Sequence, residues 1–359
     1  MTDLMMLVSI GLKTSLVVAA AGLLSLALRR QSAAFGHVLW TAALALCVLM
    51  PLAILLLPSH DVIALPSGPT LPLPRVRGSE WARAVLTVWF IGSSVVLLRE
   101  LLATIGLARW RRHATPLTST RWLATLARIG FDHPRLQVLQ SQHVAGPCTW
   151  GVMQPVLLLP TTGDAWPESA RYAALMHELA HIERRDAAST IVARLACALY
   201  WFNPLVWLAA ERIRSLQERA CDDAVLRAGA MPSDYAQFLL DVAADASGVT
   251  RLSRATIGMT HGSSLHARIV AILDPQASRS PPQRVRLVAT CASLLVLTIL
   301  LATASVAIEP PPLPPIPSTA QVPEVPELPR IPKLPRIPDL PVPPVVPEPP
   351  VPPVPVTSP

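Results

Sequence analysis

The chain has 359 residues, of which 52% are hydrophobic and only 15% are charged. This balance, with a mean hydropathy of +0.45, excludes an ordinary soluble protein and indicates a membrane protein. The net charge is +7, but most basic residues flank apolar runs, where they orient a chain in a bilayer, so direct nucleic-acid binding is disfavoured.

Three apolar runs near the amino terminus are each long enough to cross a bilayer, which needs about 20 mostly apolar residues. They are residues 5–28, 33–57 and 81–103, so residues 1–108 are predicted to hold three transmembrane helices. A signal peptide is disfavoured for the first run, because it is long and leads straight into the second without a small-residue cleavage site. A fourth run, residues 287–308, follows much later in the chain.

The basic residues beside these runs predict the topology, because cytoplasmic loops carry an excess of Lys and Arg. Arginines follow the first and third runs and precede the fourth, and all three clusters belong on the cytoplasmic side. The amino terminus and residues 58–80 are then extracytoplasmic, although Arg75 and Arg77 run against the rule. Residues 109–286 remain as one cytoplasmic domain.

The strongest chemical signal is His177-Glu178-Leu-Ala-His181, in a run with helical periodicity that opens at Pro167. Residues four apart share one face of a helix, so both imidazoles can bind one zinc ion. Glu178 then lies beside the ion without binding it, where a general base for an attacking water belongs. Two histidines one turn apart are often incidental, but a Glu between them among apolar neighbours favours a zinc site.

A catalytic zinc usually has three protein ligands, so the third must come from elsewhere in the domain. The acidic candidates after the motif are Glu183, Asp186, Glu211, Glu218, Asp222 and Asp223. Asn203-Pro204 predicts the start of a further helix, on which Glu218 and Asp222 share a face. One of them could bind zinc while the other orients a histidine, or both could form a solvated face with nearby arginines. Spacing alone leaves these alternatives open.

The apolar stretch 187–210 has the hydropathy of a further span, but one crossing there would put Glu218 across the membrane from His177 and His181. The break at Asn203-Pro204 also counts against a span, because neither half is long enough to cross alone. We therefore expect a buried or membrane-resting helical hairpin. This hairpin would keep the zinc site close to the bilayer.

An apolar segment before the zinc helix, Val152–Leu159, is predicted to be a strand. One alternative is an edge strand that pairs with an extended peptide substrate. The other is a core strand, and the residues alone do not decide between them.

The last segment, residues 309–359, is rich in proline and is predicted to be extracytoplasmic and disordered or polyproline II. From Val322 it carries a triplet repeat, whose period matches the three residues per turn of polyproline II. Such a tail can serve as a semi-rigid spacer or as a ligand for an envelope partner.

These pieces together resemble the BlaR1/MecR1-type membrane metallopeptidases, peptidase family M56. The resemblance rests on the zinc motif, on Trp201–Trp207, on Glu218–Asp222 and on Gly151–Pro160, and it covers about residues 5–275. It implies a multi-span α-helical membrane protein of the bacterial inner membrane, with a mainly α (α+β), zincin-like (gluzincin) cytoplasmic domain. It also implies one Zn²⁺, with Glu218 as the third metal ligand and Asp222 as a supporting residue.

The resemblance implies a signal-transducing zinc endopeptidase whose protein substrate is a cytoplasmic repressor similar to BlaI, and whose second substrate is the chain itself. The antibiotic sensors of this family carry an extracellular penicillin-binding domain after the last span, with a Ser-x-x-Lys nucleophile. No such motif follows Ile308, so direct β-lactam sensing is disfavoured. Two alternatives stay open: a quality-control protease similar to the M48 enzymes, and a non-enzymatic membrane-to-envelope tether. A homo-oligomer is also left open.

Overall fold

The computed structural model describes residues 2–58, 60–65, 78–248 and 261–308. The chain divides into two units, Met1–Glu309 and Pro310–Pro359. The proline-rich tail, predicted above to form polyproline II, lies outside the described residues.

The described residues are mostly helical. The α-helices are α1 (Thr2–Ala27), α2 (Ala33–Leu56), α3 (Gly78–His113), α4 (Thr120–Ile129), α5 (Glu168–Glu183), α6 (Asp186–Leu199), α7 (Pro204–Arg227), α8 (Pro232–Gly248), α9 (His261–Leu273) and α10 (Arg284–Thr303). The strands are β1 (His60–Leu65), β2 (Thr115–Pro116), β3 (Gln137–Ser141), β4 (Cys148–Trp150), β5 (Val156–Pro160) and β6 (Ala304–Ile308). A short 3₁₀ helix, Thr161–Ala165, leads from β5 towards α5.

Four described helices, α1, α2, α3 and α10, are long and apolar enough to cross a membrane. The first two match the predicted spans closely. The third continues to His113 as one helix, ten residues beyond the predicted end at 103. The fourth ends at Thr303, because the last five residues of the predicted span 287–308 form β6 and pair with β1 in parallel.

A four-stranded sheet with the order β2-β3-β5-β4 precedes α5. Strand β5 pairs in parallel with β3 on one side and antiparallel with β4 on the other, and all five of its residues are buried. The interpretation of Val152–Leu159 as a substrate-pairing edge strand is therefore wrong, and β5 is a core strand. The terminal strand on this side of the sheet is β4.

Helices α6 and α7 form a hairpin that packs between membrane-length helices. Asn203 caps α7 by accepting a hydrogen bond from the Leu205 amide, and Pro204 occupies the first turn. Along α6, small side chains such as Ala193 and Ala196 are buried in one apolar core with α2, which allows close helix approach. The predicted hairpin is present. One face is buried against the membrane-length helices, whereas large apolar side chains such as Ile191, Leu195 and Leu208 are exposed.

The turn of this hairpin contacts three membrane-length helices through hydrogen bonds. The Tyr200 hydroxyl donates to the Cys47 carbonyl at 2.8 Å, and the Asn203 amide donates to the Ser15 hydroxyl at 2.9 Å. The Trp89 indole donates to a carbonyl at the end of α6 at 2.9 Å. Cys47 lies 14 residues beyond the start of α2, about 21 Å along the helix axis. The turn is therefore deep within the helical bundle.

Candidate metal centre

Helix α5 places His177 and His181 one turn apart on one face, with their ring centroids 4.9 Å apart. Pro167 precedes this helix and Glu168 lies in its first turn, where a carboxylate interacts well with the helix dipole. Apolar side chains on the same helix, including Leu175 and Leu179, pack into the core beneath the sheet. Burial of this apolar face fixes the direction in which the two imidazoles point.

Helix α7 brings Glu218 next to both histidines. Its Oε2 atom lies 3.5 Å from His177 Nε2, and its Oε1 atom lies 3.8 Å from His181 Nε2. One donor atom from each of the three residues lies within 4.8 Å of the others. Two imidazole nitrogens and one carboxylate oxygen are a donor set suited to zinc, so these residues fit one divalent ion.

The second ring nitrogen of each histidine faces a carboxylate. His177 Nδ1 lies 3.2 Å from Asp222 Oδ1, and His181 Nδ1 lies 2.8 Å from Asp186 Oδ2. A proton on each Nδ1 is thereby held by an acceptor, which leaves the Nε2 lone pairs directed at the gap beside Glu218. Asp222 thus lies where a supporting residue is expected, and Asp186 has the corresponding position at the other histidine.

Comparison with known proteins identifies the family. The family model described as BlaR1 peptidase M56 matches residues 5–272. The chain belongs to this family. Membership indicates a membrane-associated metallopeptidase.

Two curated relatives of this M56 family member match a shorter segment. The regulatory protein BlaR1 of Bacillus licheniformis is 28% identical over 148 residues, which cover 40% of this chain and 24% of the relative. The methicillin resistance mecR1 protein of Staphylococcus aureus is 20% identical over 146 residues, which cover 40% of this chain and 25% of the relative. The chain therefore matches about a quarter of the length of these curated relatives.

Two further residues of this cluster, Tyr235 and Arg268, were not identified from the sequence. The Tyr235 hydroxyl donates to Asp222 Oδ1 at 2.7 Å and lies 3.0 Å from His177 Nδ1. Arg268 donates to both oxygens of Asp222 at 2.7 and 2.8 Å, and its Nη1 lies 2.9 Å from Glu218 Oε2. Both residues come from helices beyond α7, and no spacing in the sequence links them to the zinc motif.

The charges of this cluster stabilise one another. Burial raises the pKa of Asp222, but the charge of Arg268 and hydrogen bonds from His177 and Arg268 outweigh burial and lower it to about 2. Burial likewise opposes ionisation of Glu218, but the His177 hydrogen bond and Arg268 hold its pKa well below the usual range. Both carboxylates are therefore ionised at neutral pH, which is the state that supports cation binding.

The pKa of His177 is shifted in the opposite direction, upwards. Burial lowers its pKa, but hydrogen bonds to Asp222 and Glu218 outweigh burial and raise it to about 10. A divalent cation that binds His177 must displace this proton, because a metal ligand is a neutral imidazole.

Glu178 is buried on the same helix as the candidate metal ligands His177 and His181. Within the described part of the chain it has no hydrogen-bond or ion-pair partner. The Cys148 thiol on the edge strand β4 has its pKa raised to about 12, first by burial and then by the negative charge of Glu178. The Glu178 carboxylate therefore lies close enough to β4 to affect its electrostatics. Glu178 is thus an uncommitted carboxylate close to the edge of the sheet.

A groove of about 410 Å³ opens beside His181. The end of β4 and the loop after it form one wall, with Trp150, Val152 and Met153, and the end of α5 forms another with Ile182. Val152 and Met153 are both exposed. The groove therefore combines apolar side chains with Arg135 and Arg185, and it adjoins His181 and the edge strand.

Proposed function

We propose that this chain is an integral-membrane zinc endopeptidase, with His177, His181 and Glu218 as the metal ligands and Glu178 as the general base. The observation that carries this proposal is the convergence of three donor atoms on one gap, with a carboxylate behind each histidine. Zinc is the ion favoured by two imidazoles and one carboxylate on a helix with this motif. Asp222 acts as a supporting residue that orients His177.

Bound zinc supplies Lewis-acid polarisation of the scissile carbonyl. Glu178 takes a proton from the attacking water and returns it to the leaving amine, which a carboxylate without a fixed partner is free to do. Arg268 holds both Glu218 and Asp222, so it keeps a metal ligand and a supporting residue in one geometry.

An extended peptide substrate adds to the outer edge of β4. This strand is the terminal strand at one end of the described sheet. It carries Cys148, whose pKa is raised by the charge of Glu178. Backbone pairing fixes the direction of the peptide, and side chains of alternate residues enter the groove beside His181. The proposed reaction is therefore internal cleavage of an extended polypeptide segment.

The proposed biological role is regulatory cleavage of a cytoplasmic protein, with a BlaI-like repressor as the substrate and self-cleavage as a second reaction. Two relatives with the names regulatory protein BlaR1 and methicillin resistance mecR1 protein support a regulatory role. The basic clusters Arg29-Arg30 and Arg109–Arg112 support placing residues 109–286 on the cytoplasmic side of the bacterial inner membrane.

The test compares the wild-type chain with Glu178→Gln. We expect the variant to keep its zinc and to lose peptide cleavage, because Gln preserves the size of the side chain but cannot accept the proton. Mass spectrometry of peptides that accumulate only with the wild-type chain identifies the substrate. A fully active Glu178→Gln chain would contradict the role of Glu178, and cleavage of many unrelated membrane proteins would favour a quality-control protease.

A further inference from the structure

A second buried polar cluster joins the membrane-length helix α2 to the start of α6. Its centre is His37, whose side chain is only 6% exposed. An imidazole in an otherwise apolar helix is costly to bury unless it forms hydrogen bonds. Outside its own helix, the partners of His37 are Arg184 and Ser189, which lie on either side of Asp186 in the sequence. Within α2, the Thr41 hydroxyl lies 3.5 Å from His37 Nε2.

The hydrogen bonds of His37 define its tautomer. Arg184 Nη2 donates to His37 Nδ1 at 2.8 Å, and because a guanidinium cannot accept a hydrogen bond, Nδ1 carries no proton. His37 Nε2 therefore carries the proton and donates to the Ser189 hydroxyl at 3.0 Å. The Ser189 hydroxyl in turn donates a hydrogen bond to the Asp186 carbonyl at 2.9 Å. The ring thus has one fixed orientation relative to α6.

Asp186 is the carboxylate behind the proposed metal ligand His181. Its Oδ2 atom accepts from His181 Nδ1 at 2.8 Å and from Arg184 Nε at 3.3 Å. Its Oδ1 atom is buried without a hydrogen-bond partner among the described residues, and it lies 3.8 Å from His37 Nε2. A movement of α2 by about 1 Å towards α6 would bring this pair within hydrogen-bond distance.

The backbone around Asp186 is held from the other sides. Gln217 of α7 donates to the Asp186 carbonyl at 3.1 Å and to the Ser189 hydroxyl at 2.8 Å. Arg185, which joins α5 to α6, has φ 55° and ψ 40°, a left-handed conformation that costs energy for a residue with a Cβ. This conformation turns the chain at the start of α6, where the Asp186 side chain contacts His181.

We infer that His37 is a positioning residue for the metal site, acting through Arg184 and Asp186 on His181. The inference rests on the proposed zinc site and extends it into the membrane-length helices. Because His37 belongs to α2, a displacement of α2 changes the hydrogen bonds of the carboxylate that orients a metal ligand. The second membrane helix is therefore part of the machinery that sets the geometry and affinity of the zinc site.

The test measures zinc affinity of the full-length chain in lipid nanodiscs by competition with a chromogenic chelator. The variants are His37→Phe, which fills the ring's space without its hydrogen bonds, Asp186→Asn, and the double variant. Leu44→Ala is the matched control, because Leu44 is a fully buried residue two turns along α2. Thermal unfolding of every variant is measured in parallel, and His37→Ala replaces His37→Phe if the latter does not fold.

We expect Asp186→Asn to weaken zinc binding by about 10- to 100-fold, the usual effect of losing a partner of a metal ligand. His37→Phe should weaken it by about 3- to 30-fold, and should have no further effect in the Asp186→Asn chain, because both changes act on the same contact. Substituting Co²⁺ provides a second readout, since its visible absorption should shift in His37→Phe. Leu44→Ala should lower thermal stability but leave both metal readouts unchanged.

Two outcomes separate failure of this inference from failure of the proposed function. If the wild-type chain binds no zinc, the zinc-endopeptidase proposal itself is wrong. If the wild-type chain binds zinc, the inference is overturned when His37→Phe binds it equally well. It is also overturned when the effects of His37→Phe and Asp186→Asn simply add in the double variant.

Discussion

At the residue scale, the two histidines of the site depend on carboxylates from different parts of the chain. Asp186 follows His181 by five residues and belongs to the next helix, whereas Asp222 comes from α7 and is itself held by Arg268 and Tyr235. The site is therefore built from two separate hydrogen-bond networks that meet at Glu218. Each network can be perturbed without removing a metal ligand.

The Arg268 network gives a first prediction. Arg268→Met should weaken zinc binding by about tenfold or more, because Met retains most of the volume but removes the two hydrogen bonds that Arg268 donates to the buried Asp222 carboxylate. Chelator competition on the purified chain checks this. Arg214→Met is the control, since Arg214 lies on the exposed face of α7 and pairs only with Glu211 among the described residues. Equal zinc affinity in Arg268→Met and the wild-type chain would contradict the supporting role of Arg268.

The protonation of His177 gives a second prediction. Because its pKa in the ion-free site is raised to about 10, zinc binding should release a proton at neutral pH. Zinc affinity should then fall as the pH is lowered from about 8 to about 6, by up to about tenfold per pH unit. Isothermal titration calorimetry in buffers of different ionisation enthalpy counts the released protons. Zinc binding without proton release at pH 7 would show that His177 is already neutral.

At the element scale, the α6–α7 hairpin connects the metal site to the bundle. The histidines and Glu218 lie at its open end, while its turn packs between α1, α2 and α3. Glu100 of α3 also pairs with Arg194 of α6, with 3.1 Å between carboxylate and guanidinium. A change in the packing of the turn should therefore shift α6 and α7, and with them the positions of Asp186 and Glu218.

Gly92 of α3 tests this packing. A Cβ atom at Gly92 would lie 2.2 Å from the Trp201 indole in the hairpin turn, so that the ring or the helix must move. Gly92→Ala should lower the free energy of unfolding by about 1–3 kcal/mol, the usual cost of overpacking. Gly106→Ala is the matched control in the same helix, because a Cβ there contacts nothing within 4 Å.

The expected result at Gly106 is unchanged or slightly increased stability, because Ala favours helix more than Gly does. Thermal unfolding in lipid nanodiscs compares the two variants. If Gly92→Ala is as stable as Gly106→Ala, the hairpin turn does not pack against α3 as described.

The sequence predicted the helical elements better than the strands. The spacing of His177 and His181 is sufficient to predict that both side chains lie on one face, because residues four apart in a helix share a face. The residues left open whether Val152–Leu159 is an edge or a core strand, because its place in the sheet depends on pairing with β3 and β4, and β4 has only three residues, too few for an alternating pattern. The contacts of His37 and Arg268 were not predictable, because they join residues far apart in the sequence, without a fixed spacing.

At the scale of the whole molecule, the metal site and the membrane-length helices share one bundle. His37 lies near the start of α2, just after the basic pair Arg29-Arg30 that is expected to face the cytoplasm. Its contacts with Arg184 and Ser189 place the site at that same end of α2. The proposed topology and the position of the site therefore agree.

Labelling in cells tests this topology. A membrane-impermeant maleimide should react with His60→Cys from outside the inner membrane, and with Asp132→Cys only after that membrane is permeabilised. Both positions are exposed. Each substitution is introduced into a variant of the chain whose native cysteines have been replaced, so that only the new thiol can react. Labelling of the two positions from the same side would contradict the proposed cytoplasmic location of residues 109–286.

The proposed activity requires that His177, His181 and Glu218 bind one zinc ion. Metal analysis of the purified full-length chain by inductively coupled plasma mass spectrometry tests it most directly. We expect about one zinc per wild-type chain, and loss of that zinc in His177→Ala and Glu218→Ala. Glu211→Ala, which removes an exposed carboxylate from the same helix as Glu218, should keep its zinc. A wild-type chain without metal, or a Glu218→Ala chain that keeps a full zinc ion, would show that these three residues do not form the proposed zinc site.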